Sequence, residues 1–151
     1  MIAWRANLID DDAGLAAILR EAKTVAVLGA KASPAEPAYF VPAYLRARGY
    51  RIRPVNPKLV GRSVHDATAV ARLADLGEPA DVIEIFRRPA YLPDHAREIL
   101  VLPWRPTAVW FQLGIRHDGA AAMLARAGIR VVQDRCMMPE HKRLVAMIGF
   151  H

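Results

Sequence analysis

The chain has a single cysteine, Cys136, among 151 residues, so no disulfide can form within it and a cysteine-based zinc site would lack ligands. It has no apolar run near the roughly 18 residues that a membrane span requires. Its first residues, MIAWRANLIDDDAG, carry an acidic cluster where a secretory signal would have an apolar stretch and a small-residue cleavage site. Catalytic signatures are missing as well. There is no G-x-S-x-G elbow, no H-E-x-x-H and no Walker A lysine, and the five histidines do not group at metal-ligand spacing. Blocks of like charge are also absent. The arginines are scattered in pairs such as Arg46/Arg48 and Arg51/Arg53, without an aromatic ladder beside them, which speaks against nucleic acid as a partner. These absences predict a cytoplasmic protein without a membrane segment, which reads as a binder before it reads as a catalyst; no catalytic residue is assigned.

What is present is a globular composition, 54% hydrophobic and 24% charged. The length suits one domain with its own core and is short for two, so residues 1–151 are read as a single domain. The net charge of +6, from 21 Lys and Arg against 15 Asp and Glu, favours an anionic partner such as a phosphorylated small molecule.

The hydrophobic pattern alternates between two periods. An acidic first turn at Asp10 to Asp12 and apolar Leu15, Ile18 and Leu19 predict an N-terminal helix over about 12–22. TVAVLG (24–29) is a Val-rich run suited to a strand buried on both faces, followed by a helix around YFVPAYLRARG that ends at Gly49. Strands are then expected at 51–56, 81–86, 107–113 and 129–134. Helices are expected near 66–76, 90–102 and 117–128, with a last one from about Pro139. Pro42 and Pro93 suit only the first turn of a helix, so each is expected there. Strands alternating with helices predict an α/β, Rossmann-like three-layer fold: a five-stranded parallel sheet with helices on both faces and a core over about 24–144.

In an open parallel sheet ligands bind beyond the carboxyl ends of the strands, where strand order reverses. After the first strand comes Gly29-Ala30-Lys31-Ala32-Ser33-Pro34. A dinucleotide fingerprint counted from Gly29 would repeat glycine where Lys31 and Pro34 stand. Gly29 still permits a sharp turn, and free amides with the Lys31 ammonium would attract a phosphate or pyrophosphate. After the second strand, Val55-Asn56-Pro57-Lys58 stands where an NAD site would place Asp or Glu against the ribose. A cation there suits a phosphorylated ribose, as in NADP or coenzyme A. The third strand ends in Phe86-Arg87-Arg88, an aromatic with two cations, of which one is expected to reach a ligand. The fourth ends in Trp110-Phe111-Gln112-Leu113-Gly114: Trp110 and Phe111 are read as core, Gln112 as an amide near the switch point, and Gly114 as a place of close backbone approach. Cys136 and His141 are too loosely spaced to make a nucleophile and its base, so Cys136 is read as a structural thiol.

Together VAVLGA with its Ser-Pro-containing loop, YLRARGYRIRPVNP, VIEIFRRP, VWFQLGIR and DRCMMPEHKRL resemble the stand-alone bacterial CoA-binding domain proteins, relatives of the CoA-binding domain of the succinyl-CoA synthetase α-subunit. The resemblance runs from about Thr24 to Leu144. It implies that the loop Lys31 to Pro34 contacts the phosphates of coenzyme A, that Lys58 lies by the adenosine phosphate, and that Phe86, Arg87, Gln112 and Gly114 border the nucleotide or the pantetheine arm. The family often has a hydroxyl residue near the start of the first loop, where this chain has Lys31, with Ser33 as the substitute. The ligase relatives also carry a phosphohistidine domain for which 151 residues leave no room, so complete ligase chemistry would need a partner. The expected function is therefore non-catalytic binding of coenzyme A or an acyl-CoA. The alternatives are an NADP-dependent oxidoreductase, a nucleotide-binding partner subunit, or thiol chemistry at Cys136. The apolar N-terminal helix leaves open a protein partner or a homo-oligomer.

Overall fold

The computed structural model describes residues 3–149. Its main sheet holds β1 (Thr24–Leu28), β2 (Arg51–Val55), β5 (Val82–Ile85), β6 (Ala108–Phe111) and β7 (Arg130–Val132), with a hairpin of β3 (Ser63–Val64) and β4 (Ala67–Thr68) beside it. All five main strands are parallel, in the order β2-β1-β5-β6-β7. This is the Rossmann-like α/β sheet expected from the alternation. The order reverses between β1 and β5, which opens a crevice at their carboxyl ends.

The strands form because they are buried on both faces. Val25, Val27, Val82, Ala108, Trp110 and Val132 pack on one face under α1 (Asp12–Glu21), α2 (Pro37–Ala47) and α5 (Met137–Ile148). Ala26, Leu28, Ile83, Ile85, Val109, Phe111 and Val131 pack on the other under α3 (Leu92–Leu100) and α4 (Asp118–Arg126). Trp110 and Phe111 are core residues, as expected. Asp81 ties the start of the sheet together: its carboxylate accepts the amides of Lys23 and Thr24 at 2.8 and 3.0 Å. No helix among the described residues is long and apolar enough to cross a membrane.

Two expectations are corrected. No α-helix forms over 66–76. His65 and Asp66 take φ of 54° and 63°, turning β3 into β4, and Val70 then bridges to Val55 of β2. Two consecutive left-handed residues make a two-residue hairpin turn whose twist matches its strands, and the β-branched Val64, Thr68 and Val70 favour extension. A short 3-10 helix, Leu73–Leu76, completes the crossover with Leu73 and Leu76 buried on the second face, so the apolar spacing that suggested a helix serves burial without one. Pro93 lies in the first turn of α3, as expected, but Pro42 lies inside α2, because that helix already starts at Pro37.

Candidate functional site at the strand reversal

The turn after β1 passes very close to the end of β5. Gly29 has φ 90°, and a Cβ there would stand 2.4 Å from the carbonyl oxygen of Phe86. A side chain would both strain the backbone and strike a carbonyl that cannot move away. The amides of Gly29 and Ala30 donate to the Val55 carbonyl at 2.9 and 3.4 Å. Asn56 binds the Ala30 carbonyl through Nδ2 at 2.7 Å and accepts the Lys58 amide on Oδ1 at 2.9 Å. The turns after β1 and β2 are thereby one hydrogen-bonded unit.

Pro42 contributes to this unit from a distance. Lacking an N–H, it leaves the Ala38 carbonyl of α2 without its helical donor. The Lys31 amide approaches that carbonyl at 3.5 Å. Among the described residues the amides of Ala32 and Ser33 donate to no protein acceptor. With the exposed Lys31 ammonium beside them, they form a donor set suited to phosphate oxygens.

Two clefts meet over Gly29. One, of about 570 Å³, is walled mainly by apolar groups from the start of α2 and the ends of β5 and β6: Pro37, Ala38, Phe40, Val41, Phe86, Leu113 and Ile115, joined by Lys31, Gln112 and Cys136. The other, of about 290 Å³, is more polar and is lined by Val55, Asn56, Pro57, Arg72, His95 and Glu98. Gly29 and Arg87 border both. Arg87 is held on this border by a network on α3. Its Nε donates to His95 Nε2 at 3.3 Å, the Nδ1 of His95 meets Glu98 Oε1 at 3.0 Å, and its guanidinium lies 4.6 Å from the centre of the Tyr91 ring. An accepting Nε2 requires the Nδ1–H tautomer, which donates to Glu98 and leaves the imidazole neutral. Arg88, by contrast, is exposed on the rim of the apolar cleft.

Beneath that cleft lies a buried carboxyl. Glu84 sits in the central strand β5 with no solvent exposure; Gln112 Nε2 donates to its Oε2, while Oε1 has no partner among the described residues. Burial pushes its carboxyl up to about 8, so it is mostly protonated at neutral pH. Cys136, at the start of α5, has its thiol raised chiefly by burial, with the Met138 amide opposing and the acidic neighbours Glu84 and Glu140 adding to it. His141 faces elsewhere: its Nδ1 meets the Tyr44 hydroxyl at 2.9 Å, and its ring packs edge-on to Tyr44 and Tyr50. Among the described residues no cluster of His, Cys, Asp and Glu could hold a metal ion.

Of the residues singled out from the sequence, Gly29, Lys31, Val55, Asn56, Pro57, Phe86, Arg87 and Gln112 line the two clefts. Ala30 is buried behind the turn, Ala32 is half-buried against the core, and Ser33 and Pro34 are exposed at the loop tip. Lys58 is exposed on a single 3-10 turn, Pro57–Leu59, outside both walls. Gly114 also stands outside them. Its φ of 83° and its amide, bonded to Asp134 Oδ1 at 2.6 Å, account for glycine through the turn itself. The sequence reading missed Arg72, His95, Glu98 and the apolar start of α2. It also passed over Glu84, whose signal was available as a charged residue within the run VIEI.

A family model described as a CoA binding domain matches residues 23–142. The chain belongs to this CoA-binding domain family. It is 51% identical to a solved protein of Thermus thermophilus, covering 90% of this chain and 100% of that one with a TM-score of 0.85. A hypothetical protein of Pyrococcus horikoshii is 30% identical, covering 89% and 92% of the two chains with a TM-score of 0.82. The uncharacterised Bacillus subtilis protein YneT is 32% identical over 124 residues, 82% of this chain and 89% of its own.

Proposed function

We propose that this CoA-binding domain family member binds coenzyme A or an acyl-CoA without transforming it, across the strand reversal, with residues 1–151 acting as one binding domain. The observation that carries this reading is the meeting over Gly29 of a mainly apolar cleft and one that also presents Asn56, Arg72, His95 and Glu98, with Arg87 on their border. A ligand with a nucleotide at one end and an apolar arm at the other matches that pairing, with phosphates between. The adenosine would lie in the polar cleft by Asn56 and Pro57, its 3′-phosphate reached by Lys58 and by Arg72. The pyrophosphate would take the amides of Ala32 and Ser33 with Lys31 and Arg87, while Ala30 and Pro34 shape the loop. The pantetheine arm would follow Phe86 and Gln112 toward Gly114. Coenzyme A supplies a thiol that carries acyl groups. The chain's own part is to bind and orient it and to exclude water from the apolar arm.

Titration calorimetry with coenzyme A, dephospho-CoA and NADPH tests the reading. Coenzyme A is expected to bind, with dephospho-CoA weaker by about tenfold or more for loss of a charge-assisted phosphate contact. Equal affinity for the two would remove the role given to Lys58 and Arg72. NADPH binding without coenzyme A binding would overturn the reading in favour of a dinucleotide site.

A further inference from the structure

Glu84 stands in the middle of the sheet, in register between Val27 of β1 and Trp110 of β6, both buried, and packing does not explain a carboxyl there. It forfeits hydration, and among the described residues it recovers only the bond from Gln112. Side chains alternate along a strand, so Gln112, two residues beyond Trp110, falls on the same face as Glu84 and within its reach. Gln112 is itself 3% exposed and lines the apolar cleft. The bond between them therefore joins the core to the cleft wall, and it fixes which way the Gln112 amide faces. A side-chain amide presents its NH2 or its carbonyl with nearly equal shape, and its hydrogen bonds choose between the two. Glu84 Oε2 accepts from Nε2 whether or not Oε1 carries a proton. Gln112 Oε1, which has no partner among the described residues, is thereby left to the cleft. The other polar side chains on that wall are the charged Lys31, Glu36, Arg87 and Arg88 and the Cys136 thiol.

We propose that Glu84 is a positioning residue for the ligand: it holds Gln112 with its carbonyl toward the apolar cleft, where that oxygen accepts an amide N–H of the pantetheine arm. The proposal rests on the coenzyme A reading above. The pantetheine arm carries two secondary amides, and an N–H that enters an apolar cleft without an acceptor weakens binding. A glutamine free to turn would offer its own NH2 to that N–H, donor against donor. A valine or leucine in place of Glu84 would fill the strand and leave the amide unheld. The buried carboxyl thus has a use that its surroundings alone do not supply, and that use is exerted through Gln112.

The test combines titration calorimetry with carbon NMR on the full chain. Calorimetry compares coenzyme A with adenosine 3′,5′-bisphosphate, which has the nucleotide end and no pantetheine arm. Glu84→Met should weaken coenzyme A about fivefold to tenfold more than it weakens the bisphosphate, for the loss of one well-placed acceptor. Gln112→Met should shift the ratio by a similar factor. Adding Glu84→Met to Gln112→Met should then change the ratio by less than about twofold, because a residue that acts through Gln112 has nothing left to act on. An unchanged ratio in Glu84→Met, or an equal further loss in the Gln112→Met background, overturns the inference. The NMR measurement needs no change at Glu84. Carbon-13 at the glutamine side-chain carbonyl labels two positions, Gln112 and Gln133, and Gln112→Met identifies the first. Coenzyme A should move the Gln112 signal of the wild type, and the bisphosphate should leave it in place. A signal that ignores saturating coenzyme A, or that moves equally with the bisphosphate, overturns this inference and leaves the coenzyme A reading standing. No binding of coenzyme A by the wild type overturns both.

Discussion

Glu84→Gln should make the protein more stable, and increasingly so as the pH rises. Burial holds the Glu84 carboxyl up to about 8 in the folded chain, against an ordinary value of 4.5. The unfolded chain therefore ionises this group as pH passes 4.5, while the folded chain keeps its proton until about 8. Across that window the folded state binds more protons, so stability falls as pH rises and levels off above it. At roughly 1.4 kcal/mol per pH unit, the wild type loses about 3 kcal/mol between pH 5 and pH 8 through this one group. The glutamine variant has no such loss, and its carbonyl still accepts from Gln112. Urea denaturation of both proteins at pH 5, 6, 7 and 8, followed by the fluorescence of the three tryptophans, measures the difference directly. His65 carries an opposing dependence, because burial lowers its imidazole below the usual range. Both proteins share that term, so it cancels in the comparison. The variant's advantage should widen by about 3 kcal/mol from pH 5 to pH 8. A constant difference, within about 0.5 kcal/mol at every pH, would show that Glu84 is ionised in the folded state and would refute the reasoning.

Two other substitutions probe the loop above it. Gly29→Ala should cost about 2–4 kcal/mol in urea denaturation, since the position needs a positive φ and the methyl meets the Phe86 carbonyl; it should also abolish coenzyme A binding, and a stable variant that binds normally would refute the close approach. Pro42→Ala restores a donor for the Ala38 carbonyl and should raise stability by about 1 kcal/mol after the loss of ring packing. Because that donor displaces the Lys31 amide, coenzyme A affinity should fall about fivefold by calorimetry; unchanged affinity would mean that the contact at 3.5 Å does not shape the loop.

The strands and the location of the crevice were legible because both depend on local pattern. Runs such as TVAVL and VIEI must be buried on both faces of a parallel sheet, and a parallel sheet sends every post-strand residue to one edge. That is why Gly29, Asn56, Phe86, Arg87 and Gln112 could be named without coordinates. The hairpin over 63–68 was not legible, since it depends on two non-glycine residues, His65 and Asp66, accepting left-handed backbone. His and Asp accept that conformation more readily than most residues, but the preference is too weak to place a turn by itself. Arg72, His95 and Glu98 escaped notice for a different reason. They reach the polar cleft from the crossover and from the flank of α3, so their proximity to Asn56 arises only when the second face packs. Lys58 shows the converse: its place after β2 was read correctly, but the single 3-10 turn leaves its side chain exposed, outside the wall of the cleft.

Three residues that lower stability belong to the segments that border the crevice, and their grouping carries more weight than any of them alone. Gly29 adds backbone freedom to the unfolded chain, Pro42 deletes a hydrogen bond from the middle of α2, and Glu84 buries a carboxyl with one oxygen unpaired among the described residues. Elsewhere the same sheet face is filled by Val, Ala and Trp in ordinary packing. A fold that selected for stability alone would spread or remove such costs, whereas a site that must keep donors free concentrates them. Each of the three produces something specific at the crevice: a turn that skirts the end of β5, a loop amide drawn to α2, and a buried acid held by Gln112 of the apolar cleft. The grouping therefore marks the crevice as the place where stability is given up, since Gly29 and Gln112, which holds Glu84, both line its apolar cleft.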